Sequence, residues 1–94
     1  MVPIDRKLVR MDTETLIDAI NRAIGDELRG LRVKRKMTRD DLRAVTGLGY
    51  STIQRSENGE RALDTRELTL ILQALDMPIM EFLSSALRDI EGAK

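Results

Sequence analysis

Histidine and cysteine, the side chains that most readily supply bases and nucleophiles near neutral pH, are both missing from this 94-residue sequence. Their absence excludes thiol nucleophiles, histidine bases, disulfides and Cys/His zinc sites. The carboxylates are scattered and form no EF-hand-like loop. Because no nucleophile, base and oxyanion donor can be combined, we expect neither enzymatic activity, nor a cofactor, nor a metal, nor a small-molecule substrate.

The sequence offers charge instead, concentrated in one window. Its 16 basic and 16 acidic residues give a net charge of zero. Residues 29–61, however, contain nine Lys or Arg and only four Asp or Glu, so the rest of the chain is acidic. Such asymmetry favours one face for a polyanion and an acidic surface elsewhere. A solvated surface of uneven charge is the alternative.

Apolar residues recur with a helical period after residue 13, which predicts an all-α bundle of five helices. The first helix is expected over residues 14–36, and a break near Gly25 would be compatible with the weak helix propensity of glycine. A capping box of Thr38 and Asp41 opens a short second helix, which ends at Gly47.

The third helix is expected to begin at Gly49 or Tyr50 and to end at Asn58-Gly59, residues that tolerate a left-handed backbone. A second capping box, Asp64 with Glu67, opens a fourth helix. The second proline of the chain fits the first position of a fifth. Residues 13–94 are therefore predicted to form one domain.

Residues 1–12 do not continue this pattern. Residues 7–11 fit either a short strand or an arm. A basic arm that reaches a nucleic acid, a disordered leader, and a leader that precedes a true start at Met11 are the open alternatives. No apolar run approaches the roughly 20 residues of a membrane span, and nothing marks the chain for export, so we expect a cytoplasmic protein without a membrane partner.

The short second helix, a glycine-containing turn and the third helix have the form of a helix-turn-helix. Residues 31–83 resemble the XRE/Cro-type helix-turn-helix family of phage repressors and bacterial regulators. The resemblance rests on Leu42, Gly47, Ser51-Thr52-Ile53, Glu57-Asn58-Gly59 and the closing run ALDMPIMEFL. It implies four to five helices around one core, a third helix in the DNA major groove, and a dimer on a two-fold operator.

On a third helix that begins near Tyr50, Ile53 faces inward and four other side chains project outward. Three of these four are hydrogen-bonding types expected at a base edge, and arginine is the commonest reader of guanine. The predicted base-reading residues are Tyr50, Ser51, Gln54 and Arg55. We expect Tyr50 to be exposed, with its ring near a thymine methyl group and its hydroxyl near a phosphate.

Further polar and basic residues are candidates for phosphate contacts. They are Lys34, Arg35, Lys36, Arg39, Arg43, Asn58 and Arg61. Any one of them is more easily solvated than bound, but several together should bind. The resemblance implies that Arg32 forms a buried ion pair with Glu57. It also implies that Arg39 contacts phosphate or supports the first side chain of the third helix.

The sequence departs from the family pattern at two positions. Arg43 stands where the family usually has a small residue, and its aliphatic stem can lie over the contact between the second and third helices. Ser56 replaces a bulky apolar residue, which removes about 1.5–3 kcal/mol of side-chain burial unless Leu28 or Met37 fills the space.

Two apolar surfaces are candidates for a dimer interface, because exposed apolar patches usually mark interfaces and two-fold dimers are the commonest oligomers. The first, on the fifth helix, consists of Phe82, Leu83, Leu87 and Ile90. The second, on the first helix, consists of Leu16, Ile17, Ile20 and Ile24.

The leading hypothesis is a sequence-specific double-stranded-DNA-binding transcriptional regulator, Cro- or repressor-like, that acts as a homodimer and reads the major groove with its third helix. The alternative is an antitoxin or another protein-interaction factor on the same fold. The acidic ends, the long first helix and the arm favour this alternative, since a minimal DNA-binding fold requires none of them.

Overall fold

The computed structural model describes residues 12–90, which form five α-helices and contain no strand. The helices are α1 Thr13–Lys34, α2 Arg39–Thr46, α3 Tyr50–Glu57, α4 Thr65–Ala74 and α5 Ile79–Ala86. The predicted all-α fold of five helices is confirmed. Residues 1–11, which include the predicted arm and its possible strand, lie outside the described residues. Asp12 caps α1, because its carboxylate accepts a hydrogen bond from the Thr15 amide at 2.7 Å.

Helix α1 runs through Gly25 without the break that the sequence allowed. Gly25 is buried where the end of α3 crosses α1. A Cβ atom at Gly25 would clash with the backbone oxygen of Ser56 and lie 2.7 Å from that of Glu57. The glycine therefore lets two backbones approach each other, and it does not bend the helix.

Both predicted capping boxes are present. Thr38 accepts from the Asp41 amide at 3.0 Å while Asp41 accepts from the Thr38 amide at 2.9 Å. Asp64 and Glu67 make the same reciprocal pair at the start of α4, at 2.7 and 3.0 Å. Pro78 was predicted at the first position of α5 but is its N-cap, so this helix begins one residue later, at Ile79. These caps set where α2 and α4 begin, and thereby where the connections from α1 to α2 and from α3 to α4 end.

The core lies where α1 packs against α3 and α5, and where α2 packs against α3 and α4. Nine apolar side chains form it: Leu28, Leu31, Leu42, Leu48, Ile53, Ile71, Leu72, Leu75 and Phe82. All five helices contribute to this core or pack against it. In α1 only the second half, from Ile24 onward, does so.

The predicted dimer surface on α5 needs a correction. Phe82 is only 1% exposed, because α5 turns this side chain into the core. Leu83, Leu87 and Ile90 are partly buried. On α1, by contrast, Ile17 is 42% exposed. The other members of that stripe, Leu16, Ile20 and Ile24, are partly buried.

We predict that Gly25→Ala lowers the free energy of unfolding by about 1–3 kcal/mol, the usual cost of overpacking. The matched control is Gly30→Ala in the same helix, because nothing lies within 4 Å of a Cβ placed there. That control should be as stable as the unmodified chain or more stable by about 0.5–1 kcal/mol, since alanine favours a helix over glycine. Urea unfolding followed by circular dichroism measures both, and equal stabilities of the two variants would contradict the packing of α3 on Gly25.

Candidate nucleic-acid interface

The turn between α2 and α3 is fixed by its own hydrogen bonds. Gly47 ends α2 with a left-handed backbone at φ 78°. The Thr46 hydroxyl donates to the Leu42 carbonyl at 2.7 Å and accepts from the Leu48 amide at 3.2 Å. Leu48 is buried in the core. The angle between α2 and α3 is therefore set by a side chain inserted into the core and by a glycine conformation that other residues adopt with strain.

Helix α3 has one buried and one exposed face. Ile53 is 1% exposed, and Tyr50 is 41% exposed. Ser51 and Arg55 are also exposed, whereas Gln54 is partly buried. The structure thus brings the four predicted base-reading residues together on two turns of one helix, with three of them open to solvent.

The carboxylate of Glu57, the last residue of α3, is buried and binds two arginines. Arg32 donates from Nε to Oε2 at 2.6 Å and from Nη2 to Oε1 at 3.0 Å. Arg39 donates from Nε to Oε1 at 3.0 Å. Arg32 also donates to the Met37 carbonyl at 2.8 Å. The Glu57 carboxylate therefore joins α3 to α1 and α2. Arg32 in addition binds the connection between α1 and α2.

Arg39, a predicted phosphate contact, is engaged inside the protein. Hydrogen bonds to Glu57, and after it to the Tyr50 side chain, raise the pKa of Arg39 above its ordinary value. The guanidinium group therefore lies between a buried carboxylate and the first residue of α3. This matches the alternative role, that of supporting the first side chain of the third helix.

Arg35, also predicted to contact phosphate, binds the end of α4 instead. Its Nε donates to the Leu75 carbonyl at 2.8 Å, and its Nη2 lies 3.4 Å from the Asp76 carbonyl. The last carbonyls of a helix lack partners within it and carry the negative end of the helix dipole, so they attract a cation. Arg35 is thus used to hold α1 against α4.

Arg61 forms a bidentate ion pair with Glu67. Its Nη1 donates to Oε1 and its Nη2 to Oε2, each at 3.0 Å. Arg43 lies 3.4 Å from Asp40 one turn earlier in α2, and both side chains are exposed. The long side chain of Arg43 thus lies at the surface, outside the contact between α2 and α3. Lys34 and Lys36 are exposed.

Asn58, the remaining predicted phosphate contact, accepts a hydrogen bond from Arg29 Nη2 at 2.9 Å. Arg29 also lies 3.5 Å from the Glu57 carbonyl. Arg29 had no predicted role of its own. Its spacing from Gly25 and Arg32 was the available signal, because positions four and then three residues apart share one face of a helix.

Ser56, one of the two positions at which the sequence departs from the family pattern, lies where α3 approaches α1 at Gly25. Ser56 is 3% exposed, and within residues 12–90 its hydroxyl has no hydrogen-bond partner. The backbone of α1 passes directly over its carbonyl at Gly25. The contact at Gly25 involves the backbone of Ser56; of the two residues named as possible fillers, Leu28 lies in the core and Met37 packs against it.

Other kinds of site find little support in residues 12–90. No group of three or more carboxylate, histidine or cysteine side chains there is placed to hold a metal ion. No single helix in this range is long and apolar enough to cross a bilayer, and only α4 and α5 counted together reach that limit, with a bend of 102° between them.

We predict that Arg32→Ala lowers the free energy of unfolding by about 3 kcal/mol, because it leaves a buried carboxylate with one arginine instead of two. Arg55→Ala is the control, since an exposed side chain away from such contacts changes stability by about 0.5 kcal/mol or less. Thermal and urea unfolding measure the two variants. If Arg55→Ala unfolded while Arg32→Ala matched the unmodified chain, the placement of α3 would be wrong.

Stability should also depend on pH through Glu67. The Arg61 hydrogen bond, and after it the Asp64 amide, lower the pKa of Glu67 from its ordinary value of 4.5. A carboxylate with a lowered folded-state pKa adds stability above its ordinary pKa, and this is lost as the pH falls through the lowered value. Glu67→Gln should therefore be less stable than the unmodified chain at pH 7, with the difference shrinking below pH 4.5. The exposed Glu60→Gln is the control, and a difference that stays constant with pH for Glu67→Gln would contradict the assignment.

Two solved structures share this fold. A Tyr-to-Phe mutant of the restriction–modification controller protein C.Esp1396I has a TM-score of 0.69 and 21% identity, covering 80% of this chain and 95% of its own. An Arg-to-Ala mutant of the same protein has a TM-score of 0.68 and 22% identity, covering 76% and 95%. At these identities the likeness concerns the fold. No curated protein is detectably similar in sequence.

The family comparison reaches further. The helix-turn-helix family profile matches residues 28–82, which is more than half of the chain. The match begins in α1 and ends in α5, so it includes α2, the glycine turn and α3. The chain therefore belongs to the XRE-type helix-turn-helix family, and residues 28–82 are its DNA-binding domain.

Proposed function

We propose that this chain is a cytoplasmic, sequence-specific regulator of transcription that binds double-stranded DNA as a homodimer and reads the major groove with α3. One observation carries the proposal: α3 is held at its last residue by the buried Glu57 carboxylate, while hydrogen-bonding side chains of its first two turns are exposed. A rigid helix with free polar groups is what base recognition needs. The similar solved structures are named controller proteins, in keeping with a regulatory role.

The dimensions of α3 suit the groove. With its side chains an α-helix is about 10–12 Å in diameter, and the major groove is about 12 Å wide, so the groove admits one helix. Arg55 is the side chain best suited to a two-pronged hydrogen bond with guanine O6 and N7. Tyr50 offers an apolar ring for a thymine methyl group, and the Arg39 guanidinium lies close to its side chain.

Two kinds of group are available for the DNA backbone. The exposed cations Lys34, Lys36 and Arg43 can neutralise phosphates. The first amides of α3 are also available, because the N-cap Gly49 makes no side-chain hydrogen bond to them. Unpaired amides at a helix N-terminus favour an anion. The cations bound to Glu57, Leu75 and Glu67 contribute less than their number in the sequence suggests.

The dimer is proposed to form through the first half of α1. The stripe of Leu16, Ile17 and Ile20 precedes the first α1 residue that packs against the core, Ile24. These side chains therefore add apolar surface that the fold of one copy leaves partly exposed, and such surface usually marks an interface. We prefer this stripe to α5 because the core takes up Phe82.

The test begins with selection of bound sequences from a random pool of duplexes. A homodimer should select a two-fold repeat with half-sites about 34 Å apart, one turn of DNA. Arg55→Ala should then weaken binding to the selected duplex by about 1–3 kcal/mol and relax the preference at one base pair. Titrations by fluorescence anisotropy measure both effects.

The exposed Arg88→Ala, which removes the same charge from the segment after α5, is the control. It should leave affinity and base preference unchanged. Equal losses in the two variants, or selection of no common sequence, would refute sequence-specific recognition by α3.

A further inference from the structure

A groove with a volume of about 310 Å³ lies between α1 and α5. Three carboxylates and one cation line it: Asp26, Glu27, Glu81 and Lys34. Its apolar base is formed by the buried core residues Leu31 and Phe82 and by the partly buried Met77. Each residue of a helix advances by about 100°, so the Asp26, Gly30 and Lys34 row lies on the side of α1 opposite to Gly25, which meets α3. The groove is therefore separate from the base-reading face of α3, and of its lining residues only Lys34 is also a proposed phosphate contact.

Gly30, in the lining of this groove, has no structural explanation within the described chain. Gly25 in the same helix is needed for the approach of α3, whereas nothing lies within 4 Å of a Cβ at Gly30. Glycine inside a helix costs about 1 kcal/mol relative to alanine. A glycine in such a place leaves room for a group from outside to approach the helix backbone closely.

One wall of the groove is tied to the other by a side-chain hydrogen bond. The Ser85 hydroxyl of α5 donates to Glu27 Oε2 of α1 at 2.7 Å. This bond restrains the Glu27 carboxylate at the junction of the two helices. Asp26 and Glu81 are exposed at the same groove. The groove thus combines an apolar lining with a net charge of minus two at neutral pH.

The charge decides which occupant fits. DNA phosphates would be repelled by these carboxylates. A second copy meeting this groove across a two-fold axis would bring the same carboxylates against one another, which disfavours a symmetric contact. A basic segment of another protein satisfies both features, because arginine and lysine combine an apolar stem with a charged end.

We infer that the groove between α1 and α5 is a docking site for a basic segment of a partner protein. The stem of an arginine or lysine lies along the lining beside Gly30, and its cationic end pairs with the carboxylates of Asp26, Glu27 and Glu81. This inference goes beyond DNA binding and does not depend on it, since the groove shares no residue with the proposed base-reading face.

The probe is a short peptide of alternating arginine and leucine, added to the full ¹⁵N-labelled chain and followed by NMR. Saturable shifts are expected at the backbone amides of Gly30, Lys34 and Ser85. The same peptide with glutamate in place of arginine should cause none. Absence of saturable shifts with the arginine peptide, or equal shifts with both peptides, would overturn the proposal.

Variants separate a docking site from a general attraction of opposite charges. Glu81→Lys should weaken peptide binding about tenfold, whereas Glu14→Lys, the same change on an exposed residue in the first turn of α1, should leave it within about twofold. Equal weakening by the two would overturn the proposal.

Gly30→Leu tests the space itself. It should fill the groove and abolish peptide binding, while the chain stays at least as stable as the unmodified one and DNA binding is unchanged, because nothing lies within 4 Å of the added Cβ. Retained peptide binding in Gly30→Leu would overturn the proposal. So would shifts of the groove amides when the chain is concentrated without peptide, since a second copy would then be the occupant. If the unmodified chain bound no DNA, the proposed function would be refuted and the docking site would be unaffected.

Discussion

The buried carboxylate of Glu57 is the interaction on which the placement of α3 depends. A buried charge without partners is very unfavourable, and removal of a partner is strongly destabilising. Two arginines, Arg32 and Arg39, satisfy this carboxylate from α1 and α2. The approach that makes this pairing feasible requires a glycine at position 25. Helix α3 is consequently fixed at its C-terminal end and by Ile53 in the core, while Tyr50, Ser51 and Arg55 remain exposed.

The folded structure changes how the basic window of residues 29–61 is understood. A surplus of arginine suggested a wide surface for phosphate. In the folded protein Arg32 and Arg39 neutralise Glu57, and Arg35 binds carbonyls at the end of α4. Part of the positive charge therefore holds helices together, and fewer cations are left for DNA than the sequence suggested. The acidic excess outside the window is likewise not uniform, since part of it gathers in the groove between α1 and α5.

Features that depend on neighbouring residues could be predicted from the sequence. Helix periods, both capping boxes and the glycine turn involve contacts over three or four residues, and the structure has them where expected. Features that depend on distant contacts could not. The reason for Gly25 lies in α3, the partner of Arg35 lies 40 residues further along the chain, and Phe82 is buried only because α5 folds back on α1. The Arg32–Glu57 pair was inferred from family resemblance, which carries information about such contacts.

The most direct test of the central claim uses the single tyrosine of the chain, whose ring signals have to be distinguished from those of only one other aromatic residue of the protein, Phe82. The measurement is the set of nuclear Overhauser effects from the Tyr50 ring in a complex with the selected duplex. If α3 lies in the major groove, the ring should show effects to thymine methyl or other major-groove protons. A ring whose effects all come from protein protons, and whose resonances do not move when DNA is added, would contradict the account.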